Sequence, residues 1–182
     1  MIIHINSYAG VGKLTIAKAL AARIGARILD NHSVYNVAFA LTDFKSNAFY
    51  DTVRVVRAIA YQRVTQLPPN VPVILTNAHA QDSKWGNECW DAAIELAKSC
   101  GRQHVVILLD CSREENARRI RGLDREEMRK PRDPGMFRQG PTDRVLIERG
   151  ANALLRLDVT DLTAEYAAAH IATWLQTISA KA

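Results

Sequence analysis

Short apolar runs alternate along the chain with longer stretches in which apolar residues recur at helical spacing. The short runs are rich in Ile and Val with little polar alternation, which is typical of strands buried on both faces. These runs occupy residues 2–6, 71–76 and 105–110, and the stretches 26–29 and 153–157 are further strand candidates. The helical stretches occupy residues 13–24, 48–66, 87–99, 113–120 and 164–178. The alternation predicts a three-layer α/β fold, in which a parallel sheet of about five strands carries helices on both faces.

Length and composition restrict the class of protein. The 182 residues suit one domain, so we expect residues 1–182 to form a single domain. A content of 48% hydrophobic and 24% charged residues provides a core and excludes intrinsic disorder. The three cysteines, Cys89, Cys100 and Cys111, form no C-x-x-C pair, which argues against a disulfide framework and against a zinc site. We therefore expect reduced thiols.

Membrane and export signals are not evident in the sequence. No run approaches the ~20 consecutive apolar residues that a membrane helix needs. The first residues carry no basic leader before an apolar stretch. We expect a soluble, cytoplasmic protein without a membrane partner. The net charge of +5 suits an anionic ligand, but many proteins of this charge bind none.

A glycine-containing turn follows the first predicted strand and opens the first predicted helix. Glycines at this place allow backbone conformations in which successive N–H groups point at phosphate oxygens, and a helix N-terminus favours anions. The lysine of the turn would reach the β- and γ-phosphates of a nucleotide. The predicted phosphate-binding residues are Ala9, Gly10, Val11, Gly12, Lys13, Leu14 and Thr15.

This turn departs from the strict G-x-x-x-x-G-K-[ST] pattern at both ends. Ser7 replaces the first glycine, and Leu14 stands where a hydroxyl residue normally contacts Mg²⁺. Thr15 comes one place later and is the candidate metal-side hydroxyl. Adenylate- and cytidylate-type kinases carry G-K-G-T, also with the hydroxyl one residue late, and the run Gly-Val-Gly-Lys-Leu-Thr resembles that variant.

By the order of its elements, the chain resembles the small P-loop kinases, which include nucleoside-monophosphate, shikimate, gluconate and chloramphenicol kinases. The switch and base-reading motifs of GTPases are absent from the sequence. The resemblance implies a P-loop NTPase fold that uses ATP and Mg²⁺. It also implies a phosphotransferase acting on a nucleoside monophosphate or an alcohol-bearing metabolite. Lys13 would then be catalytic as well as nucleotide-binding.

Asp30 ends the second predicted strand, where the chloramphenicol and shikimate types carry an Asp that binds the acceptor hydroxyl or acts as base. The resemblance therefore assigns Asp30 to catalysis and acceptor binding. In-line transfer to an alcohol also requires a carboxylate that accepts the hydroxyl proton at the carboxyl edge of the sheet. In the alternative interpretation, Asp30 only caps a helix that begins near His32.

An arginine-rich segment follows the predicted helix 113–120. Small kinases have a lid here whose arginines close over the phosphates, so the resemblance implies a lid at approximately residues 121–142. It assigns Arg118 and Arg125 to catalysis, with Arg118 also in nucleotide binding. A second set comprises Arg121, Arg129 and Arg132. The alternative is a solvated charged helix, because acidic residues are interleaved with the arginines.

The remaining acceptor candidates come from the centre of the chain. Arg54 and Arg57 share one face of a predicted helix that covers the acceptor in the small kinases, although a solvated surface is the alternative. Asn77 follows the central strand at its functional edge. The predicted acceptor-binding residues are thus Asp30, Arg54, Arg57 and Asn77.

Two other functional classes stay open. Leu14 in the Mg²⁺ place is compatible with a nucleotide-binding regulator that has little turnover. A nucleic-acid-binding domain would use the arginine-rich segment. Few aromatic residues interleave with those arginines, so nucleic acid is not the expected partner.

Overall fold

The computed structural model describes residues 1–121 and 144–179, which form a three-layer α/β structure. Five parallel strands form one sheet in the order β2-β3-β1-β4-β5. The strands are β1 (Ile2–Ser7), β2 (Arg27–Asp30), β3 (Val73–Asn77), β4 (His104–Asp110) and β5 (Ala153–Asp158). The helices of the described residues are α1 (Lys13–Ile24), α2 (Asn31–Leu41), α3 (Asn47–Thr65), α4 (Lys84–Ser99), α5 (Arg113–Ile120) and α6 (Ala164–Ser179). The predicted fold class is confirmed.

The central strand β1 is buried along its whole length and separates two cores. Ile3 and Ile5 point to the face covered by α1 and α6, where they pack in one apolar cluster. Ile2, on the opposite face, packs with residues of β3, α3 and α4. Burial on both faces explains why β1 lacks the polar alternation of a half-exposed strand.

The helix and strand bounds differ from the predicted ones where a local group decides them. α1 and α5 have the predicted bounds, whereas α4 begins three residues earlier, at Lys84, because Ser83 caps it by accepting from Gly86 N. β3 begins at Val73 because Pro72, which has no N–H, precedes it. The helix α2 was predicted only as the alternative in which Asp30 is a cap.

The sheet topology brings the candidate residues to one edge. In the parallel register, Asn77 of β3 lies opposite Asn6 of β1, and Asp30 of β2 lies opposite Thr76 of β3. Neighbouring strands are about 4.8 Å apart, so Asp30 and Asn77 end their strands beside the loop that follows Ser7. None of the described helices is both long and apolar enough to cross a membrane.

Candidate active site

The residues between β1 and α1 form a turn whose backbone depends on glycine. Gly10 and Gly12 take left-handed conformations, with φ of 86° and 101°, which a side chain disfavours. Gly12 is the N-cap of α1 and has no side chain with which to cap the first turn. The N–H groups and the positive dipole end of this turn are suited to a phosphate. The predicted phosphate loop therefore has the backbone on which anion binding depends.

Two side chains of α5 hold carbonyl groups of this loop. The Asn116 amide donates to Ala9 O at 2.8 Å, and Arg119 Nη1 donates to Val11 O at 2.6 Å. The two side chains lie three residues apart and so share one helix face. These two bonds hold the loop through its carbonyl groups and use none of its N–H groups.

Arg119 and Arg118 occupy very different surroundings although they are neighbours in sequence. Both pair with Glu115, and hydrogen bonds from Arg118 and then Arg119 lower the pKa of this carboxyl to about 2. The Arg118 side chain is 74% exposed, against 20% for Arg119. Arg119 alone of the two also bonds Val159 O, which ties the loop to the segment after β5. The sequence analysis chose Arg118 and missed Arg119; the role of Arg118 at the phosphates stays a prediction.

The cation and the hydroxyl group of the loop lie at the start of α1. Lys13 Nζ donates to Tyr8 O at 3.2 Å, and the side chain of Thr15 is exposed while that of Leu14 is half-buried. Within residues 1–121 and 144–179, no cluster of three or more His, Cys, Asp or Glu side chains is arranged to hold a metal ion. Mg²⁺ would thus be held mainly by the phosphates of a nucleotide, with exposed Thr15 as the candidate protein hydroxyl.

A small open cleft lies between the ends of β2 and β3 and the helices α2, α3 and α4. Three of the four predicted acceptor-binding residues line it together, namely Asp30, Arg57 and Asn77. They come from β2, α3 and β3, and only the fold brings them together. The other lining residues are Leu29, Asn31, Val34, Tyr35, Val53, Tyr61, Leu75 and Cys89.

Asp30 caps α2 and also borders the cleft. Its Oδ1 accepts from Ser33 N at 3.1 Å and from Ser33 Oγ. Both bonds use the same oxygen, so the capping interaction engages one oxygen of the carboxylate. The capping interpretation is therefore correct, and it is compatible with a second role for Oδ2 in the cleft.

Arg57 is held rigidly, whereas Arg54 lies outside the cleft lining. Arg57 Nη1 donates to Cys89 Sγ at 3.0 Å and Nη2 to Glu88 Oε1 at 3.1 Å, and the side chain is 13% exposed. Arg54 is 45% exposed and forms a two-bond ion pair with Glu88, as well as a bond to Asp51. These bonds, that from Arg54 first, lower the pKa of Glu88. Acceptor binding by Arg54 stays a prediction.

Aromatic and thiol groups form the wall opposite Asp30. Trp85 Nε1 donates to Tyr35 Oη at 2.6 Å, and the Trp85 ring lies 5.5 Å from the Arg57 guanidinium. Burial raises the pKa of Tyr35, Tyr61 and Cys89, so these groups are neutral. Arg57 therefore has neutral groups beside it in the cleft lining, while the Glu88 carboxylate pairs with it from α4.

His79 follows β3 and is buried between the cleft and the phosphate loop. Asn6 holds its backbone, accepting from His79 N at 2.8 Å and donating to His79 O at 2.9 Å. The ring Nε2 is buried without a hydrogen-bond partner among the described residues. Burial, together with the charges of Arg57 and Lys13, lowers the pKa of His79 to about 4.

The predicted lid lies almost wholly outside the described part of the chain. Residues 122–143 contain Arg125, Arg129 and Arg132, whose roles stay predictions. Arg121, the last described residue before this gap, is the C-cap of α5.

Comparison with known proteins identifies the fold but no sequence relative. No protein-family model and no curated protein sequence matches the chain. A protein from Chloroflexus aurantiacus has a structure similar to this chain, with a TM-score of 0.66, 18% identity and coverage of 97% and 96% of the two chains. The adenylyl-sulfate (APS) kinase of Mycobacterium tuberculosis, solved with AMPPNP and APS, has a TM-score of 0.60, 13% identity and coverage of 96% of both chains.

The shikimate kinase of Aquifex aeolicus is also similar, with a TM-score of 0.53 and 15% identity over 100% of both chains. Such low identities concern the fold alone. The chain thus has the fold of the small P-loop kinases, as its sequence resemblance predicted.

Proposed function

We propose that this protein is an ATP-dependent phosphotransferase that transfers the γ-phosphate of ATP to a hydroxyl group of a small anionic metabolite. The observation that carries the proposal is the cleft in which Asp30, Arg57 and Asn77 meet, at the same sheet edge as the phosphate loop. A phosphate site and a separate polar cleft at one edge are what in-line transfer between two ligands requires.

Each part of the site has a chemical role in this proposal. The N–H groups of residues 9–15 and the Lys13 ammonium bind the phosphates of ATP. Asp30 orients the acceptor hydroxyl and accepts its proton. Arg57 binds the anionic group of the acceptor, and Arg118 and Arg125 stabilise the charge of the transferring phosphoryl group. Mg²⁺, when bound to the nucleotide, neutralises phosphate charge.

The cleft favours an alcohol-bearing metabolite over a nucleoside monophosphate. Among the described residues that line the cleft, Arg57 is the one cation, and it is paired with Glu88. One rigid guanidinium suits one carboxylate or phosphate group.

A panel of acceptors tests the proposal. ADP release from ATP is measured with sugar acids, shikimate and phenicol alcohols, and in parallel with nucleoside monophosphates. We expect one hydroxylated acid to stimulate ADP release, and Lys13→Ala to abolish it because the γ-phosphate loses its cation. Lys18→Ala, a change of another lysine of α1, serves as the matched control and keeps activity.

Two other results would reject parts of the proposal. Stimulation by a nucleoside monophosphate alone would show that the acceptor class is wrong. Tight ATP binding without ADP release for any acceptor would favour the nucleotide-binding regulator, the function that the half-buried Leu14 in the Mg²⁺ place supports.

A further inference from the structure

A chain of hydrogen bonds runs from the core to the acceptor cleft. His104 Nδ1 lies 3.2 Å from Gly150 O, and His104 Nε2 lies 3.3 Å from His4 Nδ1. His4 Nε2 lies 2.9 Å from the side-chain amide of Asn77, which lies 2.9 Å from the amide of Asn31. Asn77 and Asn31 line the cleft. The chain therefore connects two fully buried rings to a candidate acceptor-binding residue.

Both imidazole rings are held in the neutral form. His4 and His104 are 0% and 2% exposed, and the His4 ring stacks on Trp90 at 4.2 Å. Neither ring contacts a carboxylate among the described residues. Burial lowers the pKa of both groups, because a charge without a counter-charge is costly in such surroundings.

Neutral rings leave one arrangement of protons along the chain. Gly150 O can only accept, so His104 carries its proton on Nδ1 and has a lone pair on Nε2. His4 must then donate through Nδ1, which leaves the lone pair of His4 Nε2 facing Asn77. A lone pair requires a donor, and the donor of Asn77 is its NH₂ group.

This assignment of donors and acceptors decides the orientation of the Asn77 side-chain amide. The oxygen and nitrogen of an amide are equivalent in shape, so their placement follows from the network. With Oδ1 toward His4, two acceptors would face each other at 2.9 Å, unless the buried pair carried an additional proton. With Nδ2 toward His4, every bond of the chain has one donor and one acceptor.

We propose that His4 and His104 are positioning residues that hold Asn77 with its NH₂ group on His4 and its carbonyl oxygen toward Asn31 and the cleft. Asn31 turns its own amide to donate to that oxygen. The second lone pair of the Asn77 oxygen then accepts from a hydroxyl of the acceptor. This step rests on the proposed phosphotransferase function, whereas the proton arrangement does not.

The proton arrangement is measured on the full chain without any substrate. Long-range proton–nitrogen NMR correlations distinguish the two neutral tautomers of histidine, and His4→Gln and His104→Gln assign the two signals. At neutral pH we expect Nδ1–H tautomers for both rings. An Nε2–H tautomer or an imidazolium at His4 would overturn the proposal, whether or not an acceptor has been found.

Two variants of Asn77 sharpen this measurement. Asn77→Asp offers only acceptors, so it should draw a second proton onto His4 Nε2 and convert its signal to that of an imidazolium. Asn77→Ala removes the partner without adding charge, and His4 should keep its Nδ1–H tautomer through His104. If His4 already donated through Nε2, the tautomer would be unchanged in Asn77→Asp, which would contradict the proposal.

A kinetic measurement tests the part that depends on function. His4→Phe keeps a ring to stack on Trp90 but has no hydrogen-bonding atom, so the Asn77 amide can turn freely. With the acceptor found by ADP release, we expect the acceptor KM to rise about tenfold, the effect of one hydrogen bond, and the KM for ATP to stay unchanged. Equal changes in both constants would indicate a merely structural role, and no change in acceptor KM would reject positioning through Asn77.

Discussion

The phosphate loop and the acceptor cleft share the carboxyl edge of one sheet, yet they are built in opposite ways. The loop is a run of consecutive residues whose proposed ligand-binding groups are backbone N–H groups and one lysine. The cleft is formed by side chains from β2, β3 and three helices. A contiguous backbone site produces a short motif in the sequence, whereas a site of scattered side chains does not.

The two regions also differ in their electrostatics. The loop is held from α5 by the Asn116 amide and by Arg119, which is ion-paired with Glu115. The cleft is surrounded by neutral tyrosines, a thiol and buried histidines. We therefore expect changes in pH to affect the cleft first. Changes in backbone conformation should affect the loop first.

The largest effect is expected from Gly10→Ala. The added methyl group would overlap the Ile120 side chain and lie 2.9 Å from Asn116 Nδ2, at a φ of 86°. The free energy of unfolding should fall by the sum of left-handed strain, about 1–2 kcal/mol, and overpacking, about 1–3 kcal/mol. Nucleotide binding should also be lost. Urea unfolding and calorimetric titration with an ATP analogue measure the two effects.

Gly101→Ala is the matched control for this change. Gly101 also has a positive φ, of 61°, but a methyl group there meets no atom within 4 Å. Gly101→Ala should lower the free energy of unfolding only by the left-handed backbone strain, and it should keep the nucleotide affinity of the wild type. Equal nucleotide binding by both variants would show that the glycine geometry of the loop is not needed.

The next effect is an acid sensitivity that arises on the cleft side. The pKa of His79 is lowered from 6.5 to about 4 in the folded chain, so the unfolded chain binds more protons between these values. The free energy of unfolding should therefore fall as the pH falls from about 6.5 to about 4, by about 3 kcal/mol for this group. Urea unfolding across this range should show that His79→Gln loses less stability than the wild type.

His170, which is exposed on α6, provides the control. His170→Gln should keep the wild-type dependence of stability on pH. If the free energy of unfolding of His79→Gln falls with pH as steeply as that of the wild type, the buried ring is protonated in the folded chain.

A smaller effect separates the two arginines of α3. Arg57→Lys keeps the charge but loses the geometry that reaches Glu88 and Cys89, and we expect the acceptor KM to rise roughly tenfold with the KM for ATP unchanged. Arg54→Lys alters an exposed ion pair that is screened by solvent, and it should change neither constant appreciably. Equal effects on acceptor KM would place Arg54 in the binding site, as its spacing in the sequence predicts.

The sequence predicted the parts of the molecule that depend on local pattern. Runs rich in Ile and Val predicted β1, β3 and β4, shorter apolar stretches predicted β2 and β5, and the glycine turn predicted the loop between β1 and α1. The helix α2 was predicted only as an alternative, because its start depends on a single cap, Asp30. Three of the four residues that the family resemblance predicts to bind the acceptor line one cleft, and their meeting there depends on the strand order.

The rest could not be predicted because the partners are distant in the chain. Arg119 bonds the carbonyl of Val11, 108 positions away, and nothing in a row of arginines distinguishes it from Arg118. His4 lies among apolar residues of β1, so the sequence gives no sign of its polar contact with His104, 100 positions away. Such contacts are properties of the fold rather than of any segment.

The central claim is that Asp30 accepts the proton of the acceptor hydroxyl in the cleft, and kcat for Asp30→Asn tests it most directly. Asn is as good an N-cap as Asp, so α2 and the fold are retained, and Ser33→Ala serves as the control for the cap alone. At saturating ATP and acceptor, we predict that kcat falls about 10²–10⁴-fold in Asp30→Asn with ATP affinity unchanged, and that Ser33→Ala keeps its kcat. A wild-type kcat in Asp30→Asn would contradict the account.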